Sequence, residues 1–509
     1  MKNNKIDLAL KCILLLAFGF FMPFAFAPFE HIWLIYVGLA ILYGILYQSL
    51  TRGYHPSGLF LLGLSFGFGW FAGGCSWGYL VLYNHGGAGA LLAFWINYLF
   101  SAYLGLYIGL ASLAFGYLAK PLVNQEKSLN SLALPMYFAH ALTLAEWLRG
   151  YLFTGFPWLS PGYAHASEKL LSLSEYAPWV GWLGLTWLSA FIAAVIYASL
   201  RRKDMIVITK GFSVIAAIYL MALLAGQFTW TTPNGERLTY LLLQDEIPSD
   251  DKWQAEYYPL HLQKYRESIG DSNADVIILP ETAMNDFADE ESVKFINSFV
   301  EKGKIFIAGG VRKAVGGLFY NTIRFQEQSH SHDYDKVHLV PLGEYFPWIL
   351  EPLKPWIDFP GKIMAEGSGE NAIVTISASK ILPMICLENL FPHEKRPYWK
   401  EANVMLVLSD TGWFGNSWIT PQFFQVSRMR AIEMQKPLLQ VSFTGITAAV
   451  DEKGRALETI GWLESGKIKA DVVGRFGATP YALYGDWIVI SPILLSFIVV
   501  AFRRIRCRR

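Results

Sequence analysis

The chain has 509 residues, of which 53% are hydrophobic, 16% aromatic and only 16% charged. Soluble domains usually carry about 25% charged residues, so the composition excludes a purely soluble protein, and the aromatic content excludes a disordered one. The net charge of +1 gives no electrostatic basis for nucleic-acid binding. A membrane protein with an attached soluble part is the remaining class.

Apolar segments of about 20 residues, the length that crosses a hydrocarbon core, recur along the chain. The stretch from Gly53 to Ala119 contains no Asp, Glu, Lys or Arg, so it cannot form a water-facing domain surface. We expect eight membrane spans: Leu8–Ala27, Ile32–Leu50, Ser57–Leu80, Gly89–Ala119, Leu132–Tyr151, Trp179–Leu200, Phe212–Phe228 and Trp487–Phe502. The fifth contains His140, Glu146 and Arg149, and its alternative is an interfacial or partly buried helix.

Lysine and arginine residues predict the orientation of these spans, because cytoplasmic loops carry the excess of positive charge. The loops 28–31 and 81–88 contain neither residue. If successive spans cross the membrane in opposite directions, these two loops lie on one side. The positively charged residues of the other loops and the termini then lie on the opposite side: Lys2, Lys5, Arg52, Lys120, Lys127, Arg201, Arg202, Lys203, Lys210 and the five arginines after residue 502. We therefore expect both termini in the cytoplasm and the long segment between the last two spans outside it.

That long segment has a different character, because charged residues return and short β-rich runs alternate with helix-like stretches. The β-rich runs are Leu238–Leu243, Val276–Leu279, Ile305–Ala308, Ile381–Ile385, Val404–Leu408 and Leu438–Val441, and the helix-like stretches include Trp253–Ile269, Glu290–Lys302 and Phe423–Met434. This alternation predicts an α/β domain with helices packed over sheets. We divide the chain into a membrane domain at 1–235, an extracytoplasmic domain at 236–481, and a final span with a basic tail at 482–509.

Cys386 is the only cysteine of the predicted external domain, so it has no disulfide partner there. An inert core cysteine is one interpretation. The other is a nucleophile, because Cys386 follows one β-rich run and Glu281 follows another, and strand ends meet at the site crevice of α/β folds. A thiol needs a base or a cation to react at neutral pH, and Glu281 and Lys336 could supply them. A solvated surface residue is the alternative for Lys336.

Glu281, Lys336 and Cys386 form the Glu-Lys-Cys arrangement of the nitrilase-like carbon–nitrogen hydrolase superfamily. The chain resembles the bacterial apolipoprotein N-acyltransferase family over nearly its whole length. The motifs that carry the resemblance are the segments 279–283, 320–322, 335–345, 385–388, 413–415, 428–433 and 445–447 of the external domain, with 146–150 and 155–159 of the membrane part.

The resemblance implies a nitrilase-like αββα sandwich joined to a helical membrane domain of about eight spans. It also implies a two-step, ping-pong acyl transfer. No cofactor is expected, and no metal site either, because no Cys/His spacing matches a zinc site. Cys386 would take the sn-1 acyl chain of a phospholipid, commonly phosphatidylethanolamine, as a thioester. The α-amine of the N-terminal diacylglyceryl-cysteine of a lipoprotein would then accept this chain. The resemblance places the enzyme in the bacterial inner membrane as a multi-pass protein with a periplasmic catalytic domain.

The same resemblance assigns roles to individual residues. Glu281 would be the general base and Lys336 the stabiliser of the oxyanion. Glu344 and Glu388 would orient Lys336 or the thiol, with simple salt bridges as the alternative. Aromatic residues favour the bilayer interface, so lipid or lid contacts are expected at Phe156, Trp158, Trp413 and Phe414, with core packing as the alternative.

The sequence also departs from the usual pattern of the family, at Leu387, Asp410, Thr411, Phe423 and Phe443. These departures leave the Glu-Lys-Cys set intact and bear on lipid and acceptor specificity. Two other functions fit the composition: a membrane-anchored amidase of the nitrilase type, and a transporter or binding protein without chemistry. The pairs Gly309-Gly310 and Gly316-Gly317 lack a phosphate-loop pattern, and we expect turns at both.

Overall fold

The computed structural model describes residues 2–123, 132–202, 204–245, 252, 254, 256–313, 315–356, 363–370 and 372–506. The chain divides into two compact units. The first, here called the helical unit, comprises Met1–Ser76, Phe94–Phe228 and Tyr484–Arg509. The second, here called the sheet unit, comprises Trp77–Ala93 and Thr229–Leu483.

Helices make up the helical unit and cover the sheets of the sheet unit. In chain order they are α1 Lys2–Phe21, α2 Trp33–Thr51, α3 Pro56–Gly74, α4 Trp77–Asn84, α5 Ala90–Val123, α6 Ala133–Arg149, α7 Ala177–Arg201, α8 Met205–Ala225, α9 Tyr258–Ile269, α10 Glu290–Val300, α11 Pro392–Trp399, α12 Ile419–Met434, α13 Pro480–Tyr484 and α14 Trp487–Arg506.

Six helical segments among the described residues are long and apolar enough to cross a membrane. They correspond to six of the eight expected spans and include α1, α2, α3, α5, α7 and α8. The other two expected spans are also helices, α6 and α14, but α6 has only 17 residues and the apolar part of α14 is Trp487–Val500. The number of spans is therefore roughly as expected.

The third expected span is too long. It was expected to reach Leu80, whereas α3 ends at Gly74 and a separate helix, α4, begins at Trp77. Two consecutive glycines, Gly73 and Gly74, favour the end of a helix there. The segment Trp77–Ala93 belongs to the sheet unit, so this part of the chain does not continue the span.

Three polar residues of α6 have partners inside the helical unit. Arg149 and Glu146 form a buried ion pair, and Arg149 also donates to the carbonyl of Trp158 at 2.9 Å. The indole N–H of Trp187 donates to Nδ1 of His140 at 2.8 Å. Because each of these groups has a partner, α6 can be buried despite its polar sequence.

The sheet unit contains two six-stranded sheets, with strand orders β12-β1-β2-β3-β4-β5 and β11-β10-β9-β8-β7-β6. The strands are β1 Thr231–Gln244, β2 Val276–Met284, β3 Ile305–Lys313, β4 Phe319–Gln326, β5 Ser331–Asp335, β6 Val374–Ile376, β7 Ser379–Ile385, β8 Val404–Ser409, β9 Leu438–Ser442, β10 Thr447–Val450, β11 Ala456–Ile460 and β12 Gly466–Gly477. In each sheet the three central strands are parallel and the outer strands are antiparallel.

The two sheets face each other, with β1 and β2 against β8, β9 and β10. Helices α9 and α10 cover the outer face of the first sheet, and α12 contacts β9 of the second. Leu241, Ile277 and Phe306 of the first sheet pack with Tyr265 and Phe295 of the helices in one buried cluster. The expected αββα sandwich is therefore confirmed.

All six expected β-rich runs lie in strands, namely the central strands β1, β2, β3, β7, β8 and β9. The expected helix at Trp253–Ile269 begins only at Tyr258, and residues 253 and 255 lie outside the described part of the chain. The expected turn at Gly309-Gly310 is wrong, because both glycines lie within β3. Gly316 and Gly317 do form a turn, with φ angles of 85° and 82°.

Candidate active site

Cys386 lies in a strained turn at the end of a central strand. It immediately follows β7 and opens a short 3-10 turn, Cys386–Leu390. Its φ angle is +50°, a left-handed conformation that costs a non-glycine residue about 1–2 kcal/mol. Such strain is concentrated at functional sites. As a whole the residue is half-buried.

Glu281 comes from the other sheet and is held at both carboxylate oxygens. The Asn321 side-chain amide donates to Oε1 at 2.7 Å, and the backbone N–H of Asp410 donates to Oε2 at 2.7 Å. Glu281 lies within β2, where the pairing with β3 is irregular between Leu279 and Met284, whereas the sequence suggested a position after the strand.

The backbone of β3 approaches Glu281 closely at Gly309. A Cβ atom at this position would lie 2.5 Å from Cα of Glu281 and 2.7 Å from the carbonyl oxygen of Pro280. Any other residue would therefore displace the backbone that carries Glu281. This close approach, rather than a turn, is the structural reason for glycine at this position.

Lys336 follows edge strand β5 and is 1% exposed. Its amino group lies 2.9 Å from Oε2 of Glu344 and 3.7 Å from Oε1 of Glu281. The Asn321 amide bridges the same two carboxylates, because it also donates to Glu344 at 2.7 Å. Lys336 is therefore a buried cation shared by two acids, which excludes the solvated-lysine interpretation.

Burial and charge set the protonation of these groups. Burial raises the pKa of Glu281 to about 6; Lys336 opposes this shift, and Glu344 and Asp410 add to it. Burial disfavours charge on Lys336, but Glu344, Glu281 and Cys386 together raise its pKa above the ordinary value. The pKa of the Cys386 thiol is raised, first by burial and then by Glu281, against the effect of Lys336.

Two chemical consequences follow from this electrostatic arrangement. The thiol of Cys386 is protonated at neutral pH, so it requires a base when it attacks. Glu281 is ionised above about pH 6 and, after burial, has the largest electrostatic effect on the thiol, so it is the candidate for that base.

Glu388 joins the turn of Cys386 to the segment of Lys336. Its Oε2 accepts from the backbone N–H of Ile385 at 2.7 Å, and its Oε1 accepts from the backbone N–H of Val337 at 3.0 Å. The hydroxyl of Tyr334 donates to the same Oε1 at 2.7 Å, and Lys395 lies 2.9 Å from it. Glu388 thus acts on backbone groups beside Cys386 and Lys336, and also forms a salt bridge.

The charge of Glu388 is well compensated. Burial acts to raise its pKa, but Lys395, the N–H of Ile385 and the hydroxyl of Tyr334 lower it below the ordinary value. The carboxylate therefore stays ionised and keeps its charge-assisted hydrogen bonds, each worth about 1.5–3 kcal/mol.

The four aromatic residues expected at lipid or lid contacts lie in both units. Trp413 and Phe414 are half-buried in a 3-10 turn, Gly412–Phe414, of the sheet unit. Phe414 packs edge-on against Trp77 at 5.1 Å between ring centroids, and Trp413 packs against His85 at 5.0 Å.

In the helical unit, Trp158 is 2% exposed and stacks with Phe156 at 6.1 Å. Arg149 of α6 donates to the backbone carbonyl of both residues. A lipid contact of these four aromatic residues stays a prediction.

Sequence reasoning assigned no role to several residues of the site. Asn321 appeared only as part of a motif, and Lys395 and Lys252 gave no signal, since single lysines usually lie at the surface. Only their burial beside carboxylates reveals them. Among the residues that the structure describes, no three His, Cys, Asp or Glu side chains could together hold a metal ion.

The αββα sandwich is of the carbon–nitrogen hydrolase type, in a chain that also has membrane-capable helices. Residues 243–481 match the family model described as carbon-nitrogen hydrolase. Residues 18–195 match the model described as apolipoprotein N-acyltransferase N-terminal domain.

Full-length relatives identify the family. The apolipoprotein N-acyltransferase of Nitrosomonas europaea is 31% identical over 94% of this chain and 95% of the relative. That of Methylococcus capsulatus is 30% identical over 97% of this chain and 96% of the relative. Among solved structures, a carbon-nitrogen hydrolase from Helicobacter pylori is 16% identical, with a TM-score of 0.35 over 47% of this chain and 89% of that chain.

The chain belongs to the apolipoprotein N-acyltransferase family. As a member it is an acyltransferase, and its apolar helices make it a multi-pass protein of the bacterial inner membrane.

Proposed function

We propose that the protein transfers the sn-1 acyl chain of a phospholipid, with phosphatidylethanolamine as donor, to the N-terminal diacylglyceryl-cysteine of lipoproteins. Glu281, Lys336 and Cys386 form the catalytic triad of this reaction. The observation that carries the proposal is the buried cluster in which Lys336 lies against Glu281 and Glu344 and interacts electrostatically with the Cys386 thiol. Family membership supports the acceptor.

In the first step the sulfur of Cys386 attacks the carbonyl carbon of the sn-1 ester, and Glu281 takes the thiol proton. The carbonyl π electrons move to oxygen, where the Lys336 ammonium stabilises the negative charge. When the tetrahedral intermediate collapses, the carbon–oxygen bond to glycerol breaks. Glu281 returns its proton to the leaving alkoxide, so a lysophospholipid departs and a thioester remains.

In the second step the α-amine of the lipoprotein attacks the thioester carbon. Glu281 removes a proton from the attacking nitrogen, the carbon–sulfur bond breaks, and the same proton returns to the sulfur. The products are an amide and the free thiol. A thioester stays reactive towards amines, so one site can serve two bulky lipids in turn.

The acid–base properties of Glu281 suit both steps. A carboxyl with a pKa of about 6 is ionised at neutral pH, so it can accept a proton. Its protonated form is a stronger acid than an alcohol or a thiol, so it can return that proton to an alkoxide or a thiolate. Proton transfer is most effective when the pKa of the base lies near the working pH. The same group can therefore accept and return a proton in each step.

The test uses the full chain in detergent micelles and phosphatidylethanolamine labelled in the sn-1 acyl chain. We expect label on Cys386 that neutral hydroxylamine releases, and its conversion to a hydroxylamine-stable amide when a diacylglyceryl-cysteine peptide is added. Lipid labelled only at sn-2 is the matched control and should leave the enzyme unlabelled. Ammonia release from small amides without acyl adduct would favour the amidase alternative, and absence of any product would favour a binding protein.

We also propose that the sheet unit lies in the periplasm and that both termini lie in the cytoplasm. The distribution of Lys and Arg between loops supports this orientation. In a chain whose four native cysteines are alanine, a cysteine at the exposed Ser329 should react with a membrane-impermeant maleimide in spheroplasts. A cysteine at the exposed Arg52 should react only after the inner membrane is opened. The reverse labelling pattern would contradict the orientation.

A further inference from the structure

Lys252 is a second buried lysine of the sheet unit, and the two transfer steps do not use it. It is 3% exposed, and its amino group lies 2.5 Å from Oδ2 of Asp410 and 2.5 Å from the hydroxyl of Thr282. It also lies over the ring of Phe443, 3.8 Å from the centroid. A buried ammonium requires strong compensation, and these partners provide it.

The partners of Lys252 reach Glu281 along two short paths. Asp410, which binds Lys252 through its side chain, donates its backbone N–H to Oε2 of Glu281 at 2.7 Å. Thr282 is the next residue after Glu281, has a φ angle of +52°, and donates to the carbonyl of Glu281 at 2.8 Å. Lys252 therefore fixes both the donor to the Glu281 carboxylate and the backbone that carries it.

The charges around Glu281 show why the contact between Lys252 and Asp410 matters. Lys336 and Glu344 face it from the segment after β5, Asp410 from the end of β8, and Cys386 from the end of β7. Tyr265 of α9 is a further titratable group under the influence of Asp410. Without Lys252, the single lysine Lys336 would face the three carboxylates Glu281, Glu344 and Asp410.

We propose that Lys252 is a positioning residue of the acyl-transfer site. By neutralising Asp410 and holding its N–H on Glu281, it keeps Glu281 ionised and in place to accept the thiol proton. The inference rests on the proposed role of Glu281. It also connects two departures from the usual family pattern, because Asp410 and Phe443 are both direct contacts of Lys252.

A charge-balanced set of variants tests this role: Lys252→Met, Asp410→Asn, and the double variant. For the acid limb of kcat/KM, expected near pH 6 because the pKa of Glu281 is about 6, we predict an upward shift of about one pH unit in Lys252→Met. Asp410→Asn removes a negative charge beside Glu281, so its limb should move down. The double variant removes both charges, so the acid limb of its kcat/KM should lie close to that of the wild type.

A second measurement makes the test independent of substrate. The full-length variants are treated with iodoacetamide over a range of pH, and alkylation of Cys386 is quantified by mass spectrometry. The pH at which the alkylation rate rises should be higher in Lys252→Met and lower in Asp410→Asn. In the double variant it should return close to the wild-type value. If Lys252→Met alone does not fold, the comparison of Asp410→Asn with the double variant still gives a shift of defined sign.

A Lys252→Met enzyme that loses rate equally at every pH would overturn the proposal. A double variant whose acid limb of kcat/KM does not return to the wild-type pH would overturn it too. These outcomes differ from failure of the proposed function. If the alkylation profiles shift as expected but the wild-type chain transfers no acyl group, Lys252 keeps its role and the proposed reaction is rejected.

Discussion

Replacing Cys386 by alanine is expected to reduce acyl transfer by at least about 10³-fold, because the variant lacks the atom that carries the acyl chain between donor and acceptor. Alanine removes the sulfur but leaves the backbone of the turn and its contact with Glu388, which uses the N–H of Ile385. The measurements are amide formation on a diacylglyceryl-cysteine peptide and hydroxylamine-sensitive label on the enzyme. Both signals should disappear together.

A matched cysteine variant provides the control. Cys12 is also a free, partly exposed cysteine, but it lies in α1 of the helical unit. Cys12→Ala should therefore retain both signals. An acyl transfer rate in Cys386→Ala within tenfold of wild type would contradict the thioester mechanism, and the covalent step would then have to be abandoned.

Replacing Lys336 by methionine should lower the rate of thioester formation by about 10²–10³-fold, the usual effect of removing one group that stabilises an oxyanion. Methionine preserves much of the volume but removes the ammonium that lies between Glu281 and Glu344. The two carboxylates then repel each other, so the pKa of Glu281 should rise further and the base should be less ionised at neutral pH. The variant should also be less stable, by about 3–5 kcal/mol, because it breaks a buried ion pair.

The rate must therefore be measured on folded protein, with binding of labelled phospholipid as the second readout. We expect Lys336→Met to bind the lipid while forming thioester slowly. Lys354→Met is the control, since Lys354 is exposed and its ion pair with Glu351 is a surface one, worth about 0–1 kcal/mol. Its other contact is with the ring of Phe346, 5.6 Å from the centroid. Equal effects of the two substitutions would show that Lys336 has no special role in the reaction.

The sequence identified the central strands of both sheets and missed the outer ones, for a physical reason. Central parallel strands are covered on both faces, so β2 and β8 are buried along their whole length. Each contains a continuous apolar run, Val276–Leu279 in β2 and Val404–Leu408 in β8. Outer strands such as β11 and β12 alternate exposed and buried residues or are mostly exposed. Their weak apolar pattern does not distinguish them from loops.

The site was predictable where the chemistry is carried by single distinctive residues. Cys386 and Glu281 stand at the ends of apolar runs, and a known family pattern adds Lys336. The supporting contacts were not predictable, because they join residues far apart in the chain. Nothing in the sequence connects Lys252 with Asp410, or Lys395 with Tyr334, until the two sheets bring them together.

The carboxylate of Glu388 joins backbone groups beside the nucleophile and the cation. It fastens the peptide of Ile385 on one sheet to that of Val337 beside the other. The relative placement of nucleophile and cation is thus tied to one carboxylate. The intervening stretch adds to it, because the N–H of Gly367 donates to the carbonyl of Lys336 at 2.8 Å and that of Met364 donates to the carbonyl of Glu344 at 2.9 Å. Loss of the Glu388 carboxylate would therefore release the backbone beside both reactive groups at once.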